Sequence, residues 1–114
     1  MHHQGKSMEI TKNEEKFEEC QEEMLHYLAK RVRALLVEKG VDEELIYDIT
    51  GDMVFEVGAI IDGSAIIGSE AKPVLPYLTF SKSEEERESL IASPIGSCFH
   101  EMAYGFVDQI FEEE

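Results

Sequence analysis

From about Thr11 onward, apolar residues recur at helical spacing. Phe17, Cys20, Met24, Leu28, Val32 and Leu35 share one face at about 100° per residue, and Leu25 and Leu36 widen it. The pattern predicts a first long helix. Thr11 and Glu14 stand at capping-box spacing, and Gly40 is placed for a left-handed turn past the last residue, with Val41 able to touch Leu36. Acids gather at the start of this helix while Lys30, Arg31, Arg33 and Lys39 lie toward its end, an order that complements the helix dipole. The basic cluster therefore has a local explanation that involves no nucleic acid.

A second period runs Leu45, Ile49, Met53, Val57 and Ile60, with Asp42 as N-cap and Glu43 and Glu44 in the first turn. It predicts a helix over residues 42–61, ended by Asp62-Gly63. The same Asp-Gly, lying between two Ala-Ile-Ile runs, is also a hairpin signal, with strands near 54–61 and 64–67. Gly51 and Gly58 weaken a helix by about 1 kcal/mol each relative to Ala. The unbroken period favours the helix. Drawn on a helical wheel, the segment is apolar almost all round, which predicts a buried rod whose glycines admit a second backbone.

Beyond residue 63, Gly68, Pro73 and Pro76 cut the apolar pieces too short for helices, so a small antiparallel hairpin is expected within 64–80. Ser81 and Ser83 each precede a Glu by three positions, predicting a short helix from about Glu84 to Ala92. Ser93-Pro94 reads as the N-cap and first position of a last helix. Its stripe is Ile95, Cys98, Phe99, Met102, Phe106 and Ile110, with Ala103 and Val107 alongside. The fold class expected is mainly α: three long or medium helices and one short helix around a common core, with a two-stranded hairpin near 64–80. The alternative is an α+β chain with a larger antiparallel sheet from 53 to 80. Residues 1–10 are expected to form a disordered tail and 11–114 a single acidic helical domain.

Composition supports one globular unit, since 114 residues with 43% hydrophobic and 31% charged content can bury a core without staples. Charge changes the picture more. The net charge is -15, and it is uneven: residues 1–40 carry eight acids against seven bases, whereas 41–114 carry seventeen against three. Such a field repels phosphate backbones and anionic lipid, so direct nucleic-acid and membrane binding are disfavoured, while a basic protein partner or a cation is compatible with it. Two cysteines, Cys20 and Cys98, fall among apolar residues and imply no disulfide framework. No run reaches the length of a spanning helix and Met1–Met8 has no secretory core, so a cytoplasmic location is expected.

The polar arc of the second helix holds Asp48, Asp52 and Glu56, one above the other at four-residue spacing. Like charges so placed repel by a few tenths of a kcal/mol per pair. No Lys or Arg occurs between Val41 and Ala71 to relieve them. A divalent metal, a basic partner or the first helix's arginines would each offset that repulsion. His100, at the border of the last helix's stripe, would add a nitrogen ligand if the two helices packed side by side. The metal candidates are thus Asp48, Asp52, Glu56 and His100, without matching either the ferritin-like or the metalloprotease spacing. Cys98 and His100 point apart on a helix and form no dyad. Glu19 with Glu22 or Glu23 lacks the second Glu-x-x-Asp pair that a helical nucleotide pyrophosphohydrolase needs. No cofactor is expected.

No complete catalytic constellation is present, so the leading expectation is a non-enzymatic domain that binds a basic protein. Its contacts would come from Asp48, Asp52, Glu56, Asp62, Glu101 and Asp108, the physical profile of immunity-type inhibitors and nucleic-acid mimics by analogy. A metal-dependent enzyme or cation-binding domain on the carboxylate stripe is the alternative. A homodimer assembled through Tyr47, Val54, Phe55 and the glycine face is the third expectation.

Overall fold

The computed structural model describes residues 9–65, 67–82 and 89–113. The element order is β1 (Glu9–Lys12), α1 (Glu14–Glu38), α2 (Glu43–Ile61), β2 (Ser89–Ala92) and α3 (Phe99–Glu112). The three helices pack on one another, and their shared core is Leu25, Ala29 and Val32 from α1, Val54 from α2, and Phe99, Ala103, Val107 and Ile110 from α3. The mainly helical expectation holds in this coarser form, with three helices and a two-stranded sheet among the described residues.

The first helix forms where its pattern places it, with two adjustments. Its N-cap is Asn13, whose Oδ1 accepts from Lys16 N at 3.0 Å, rather than Thr11, which is already in β1. The buried face is centred on Leu25 and Ala29, so Leu35 lies out in solvent. At the other end Gly40 takes φ +74° and Val41 N donates to Leu36 O, closing the predicted turn.

Helix wins over hairpin in α2. Its end is closed by Asp62 N to Gly58 O and Ser64 N to Ala59 O, and Gly63 at φ +77° turns the chain away. The alternative antiparallel sheet over 53–80 is therefore overturned. The expectation that α2 is sunk on nearly every side also needs correction. Ile46, Thr50, Gly51, Val54 and Gly58 are buried, while Leu45, Met53 and Ile60 are exposed.

The region after α2 departs further. Of the hairpin expected within 64–80, one antiparallel bridge remains, Gly68 to Pro73, with Val74 N donating to Ile67 O. Prolines at 73 and 76 lack the amides a longer ladder requires. The sheet is instead β1 with β2, parallel, in register from Glu9–Ser89 to Lys12–Ala92. Phe80 bridges the other edge of β2 at Ile91 through two main-chain hydrogen bonds. Hence Glu9 and Ile10 belong to a strand and not to the expected tail. The end of the expected 84–92 helix is likewise a strand, while its first residues lie outside the described ones. The β-branched Ile91 and its neighbour Leu90 suit a strand once partners exist on both edges. No described helix is long and apolar enough to cross a membrane.

The last helix begins at Phe99, five residues past Pro94, so Ser93-Pro94 is not its cap and Ile95 is no part of its stripe. The amides at its start are served from elsewhere in the chain. Gln21 Oε1 accepts from Cys98 N at 2.7 Å, and Asp62 Oδ2 accepts from His100 N at 2.8 Å. Side chains from α1 and the end of α2 thus do the work of an N-cap.

Candidate functional site

The two sides of α2 are built for different contacts. On the inner side Gly51 and Gly58 let α3 come close. A Cβ on Gly58 would stand 2.9 Å from His100 N and 3.0 Å from the Phe99 carbonyl carbon, and one on Gly51 would stand 2.9 Å from the Tyr104 ring. The neighbour that the glycines admit is therefore α3 of the same chain, its backbone at Gly58 and the Tyr104 ring at Gly51. Of the residues expected in a homodimer interface, Val54 is fully buried within the chain and Phe55 half-buried, while Tyr47 is exposed.

On the outer side, Asp48, Asp52 and Glu56 are exposed, as the helical spacing requires, and they share that side with Leu45, half-buried Ile49, Met53 and Ile60. Together these residues span an arc of about 140°. One tyrosine, Tyr104, borders it, whereas Tyr47 lies on the other side of the helix, about 100° beyond Asp48. Tyr104 of α3 donates to Asp52 Oδ1 at 2.9 Å, and Tyr47 donates to Asp108 Oδ1. Those hydrogen bonds to carboxylates raise both phenol pKa values above the ordinary 10.0, with some burial and the neighbouring negative charges adding to the shift. Glu101 is exposed on α3, and Asp108 is exposed beside Tyr47.

Asp62 and His100 do not join this surface. The Asp62 side chain is 1% exposed and gathers Ser97 Oγ at 2.5 Å on Oδ1, with the His100 main-chain amide and His100 Nδ1, also at 2.5 Å, on Oδ2. Burial would raise the Asp62 pKa, but the hydrogen bonds from Ser97, His100 and the Phe99 main chain outweigh it and hold the carboxyl below its ordinary value. Asp62 is accordingly a clamp between α2 and α3 rather than a partner contact. His100 meets Asp62 and the Phe55 ring, 5.9 Å away between centroids, instead of the carboxylate stripe. The four candidate metal ligands are not assembled, and among the described residues no group of three or more His, Cys, Asp or Glu is placed to hold a metal ion.

One feature of this clamp has the order of an acid–base–hydroxyl relay. With Asp62 on Nδ1, His100 turns Nε2 toward Ser64 Oγ at 3.5 Å. That separation is at the limit of a hydrogen bond. The Ser64 and Ala65 amides both donate to Ala59 O, so neither is free to stabilise an oxyanion beside the hydroxyl. The arrangement can orient an imidazole, and it holds two helices together. The sequence offers Asp62 as a helix terminator and a partner contact but not as a clamp, because its partners lie 35 and 38 residues away.

Both cysteines are free, as expected. Burial pushes the Cys98 thiol pKa up; the hydrogen bond from Gln21 opposes this, while Asp62, Glu101 and Glu18 reinforce it, so Cys98 is kept as an unreactive thiol against Met102. Lys30 and His26 of α1 reach Glu113 at 3.9 and 3.6 Å, and Arg33 donates to Ile110 O at 3.1 Å with its guanidinium over Phe111. Lys30 and Arg33 of the basic cluster thus serve the C-terminal end of α3. No family model matches this chain, and no curated protein or solved structure matches it significantly.

Proposed function

We propose that this chain is a non-enzymatic interaction domain that binds a basic, amphipathic segment of another protein along the outer side of α2. The observation that carries the reading is the composition of that side: three carboxylates at four-residue spacing flanked by Leu45, Ile49, Met53 and Ile60, with no Lys or Arg from Val41 to Ala71. A stripe of acids alone is adequately solvated. Apolar side chains in the same arc remain in water at a cost of roughly 25 cal/mol per Å² until something covers them. A partner helix with Lys or Arg beside aliphatic residues satisfies both halves at once, its cations meeting the acids and its aliphatic residues the apolar strip. Immunity-type inhibitors and nucleic-acid mimics work by comparable charge matching, which is an analogy of mechanism.

Affinity capture from the native host with the unaltered protein, beside a variant carrying Asp48→Asn, Asp52→Asn and Glu56→Gln, tests the reading. A basic protein retained by the first and lost by the second, and released as salt rises, is the expected result. Equal retention by both, or binding indifferent to salt, overturns it.

A further inference from the structure

We infer that Ser64 is an acyl-acceptor site: its hydroxyl, relieved of its proton by His100, takes the acyl group of a small carboxylic ester with a stable leaving group and keeps it. The order of protons follows from Asp62. An ionised carboxylate only accepts, and the donors around Asp62 hold its carboxyl below the ordinary pKa, so the proton shared with His100 sits on Nδ1. Nε2 of the neutral ring is then an acceptor, and it faces Ser64 Oγ at 3.5 Å. The imidazole is held in that pose from several directions. The side chain of Asp62 is 1% exposed and also takes the His100 main-chain amide, while the Phe55 ring stands edge-on to the imidazole.

The hydroxyl itself is open to solvent, since Ser64 is exposed and the His100 side chain is 25% exposed, so a small electrophile reaches both. A base-to-hydroxyl distance that is long in the free protein shortens when the electrophile draws the oxygen toward it. In the step, Oγ bonds to the acyl carbon, Nε2 takes the hydroxyl proton, and the bond from that carbon to the leaving oxygen breaks with its electron pair. The ring then returns the proton to the departing alcohol. The geometry also fixes how far the reaction goes. The Ser64 and Ala65 amides are both spent on Ala59 O, so neither stabilises the oxyanion of the tetrahedral intermediate. An ester with a stable leaving group passes that barrier, whereas hydrolysis of the serine ester must expel a poorer alkoxide and is slow. Ser64 is therefore acylated once instead of turning over. Asp62 and His100 do not belong to the outer side of α2, so this inference is independent of the basic-partner reading.

Release of p-nitrophenolate from p-nitrophenyl acetate by the full chain at neutral pH, followed by peptide mass mapping, tests it. The expected result is a burst of one equivalent per chain, acetyl on Ser64, and no turnover above background afterwards. Ser64→Ala should abolish the burst, and His100→Gln, checked by circular dichroism, should slow it by about 100-fold or more. Ser69→Ala should leave it unchanged, because the exposed Ser69 Oγ accepts from Lys72 N in the same loop. Ser64→Ala alters only an exposed hydroxyl, so its result stands whatever His100→Gln does to stability. A burst that survives Ser64→Ala, acetyl confined to lysines, histidines or the N-terminus, or a folded His100→Gln that reacts at the parent's rate overturns the inference. Continuous turnover that depends on Ser64 overturns it as well, since the acyl group would then not be kept.

Discussion

The inner and outer sides of α2 are nearly equal in apolar content and opposite in what surrounds them. Inside, Gly58 makes room for the α3 backbone and Gly51 for the Tyr104 ring, and Ile46, Thr50 and Val54 disappear from solvent. Outside, Leu45, Met53 and Ile60 stay exposed among carboxylates. Hydrophobicity along a helix therefore does not report burial by itself: the close approach on one side fixes the core, and what remains apolar on the other side is available to a partner.

The comparison breaks most sharply at Gly58. A Cβ there meets backbone atoms of His100 and Phe99, which cannot swing aside, so Gly58→Ala is expected to lose roughly 2–3 kcal/mol from overpacking. A gain of about 1 kcal/mol in helix propensity only partly offsets it. Gly51→Ala sharpens the contrast, since its Cβ meets the movable, exposed Tyr104 ring, and a change within about 1 kcal/mol of zero is expected. Urea midpoints of the two variants measure the difference, and equal losses would contradict the distinction.

Next in size is the clamp. Asp62→Asn should cost about 1–3 kcal/mol, because a charged acceptor with several donors is replaced by a neutral one. The folded-state pKa of Asp62 lies below its unfolded value of about 3.9. Its contribution is therefore complete above that unfolded value and is lost as pH falls through the folded one. The parent should weaken steeply in that acid range and Asp62→Asn less so, which denaturant titrations between pH 6 and 2 will measure.

Outer-side substitutions should be smaller still for stability. Met53→Ser is expected to shift it by no more than about 0.5 kcal/mol, while weakening capture of a basic partner by about tenfold if Met53 is one of its anchors. The smallest effect belongs to the tyrosine border. Asp52→Asn should lower the Tyr104 pKa toward its ordinary value with stability nearly unchanged, and ultraviolet titration of the phenols reads it out.

The sequence made the existence of the helices plain because each has its own period, and it made the α1 turn plain because Gly40 and Val41 satisfy local geometry. Gly51 and Gly58 announced a close backbone neighbour without saying which one. What stayed hidden is what depends on partners distant along the chain. The start of α3 is displaced from Ser93-Pro94 because Gln21 and Asp62 supply its acceptors, and neither can be inferred from residues near Phe99. Ser89–Ala92 carries a helical capping signal upstream, yet Glu9–Lys12 on one edge and Phe80 on the other convert it to strand. At the candidate surface, the carboxylate alignment was legible from spacing. The exposure of the apolar residues beside it was not, since nothing local distinguishes Met53 from Val54.

The parallel pairing of β1 with β2 joins positions 80 residues apart and closes β1, α1, α2 and β2 into one ring, with α3 outside it. Closing a loop of that length costs roughly (3/2)RT ln n in entropy, and four exposed residues return little toward it. The strand pair should therefore seal only after α1, α2 and α3 have found one another. Amides of residues 10–12 are expected to gain protection from hydrogen exchange later in refolding than those around Val54 and Val107. An N-terminal fusion would then burden the last step of assembly, whereas an insertion in the loop after α2 would leave the order intact.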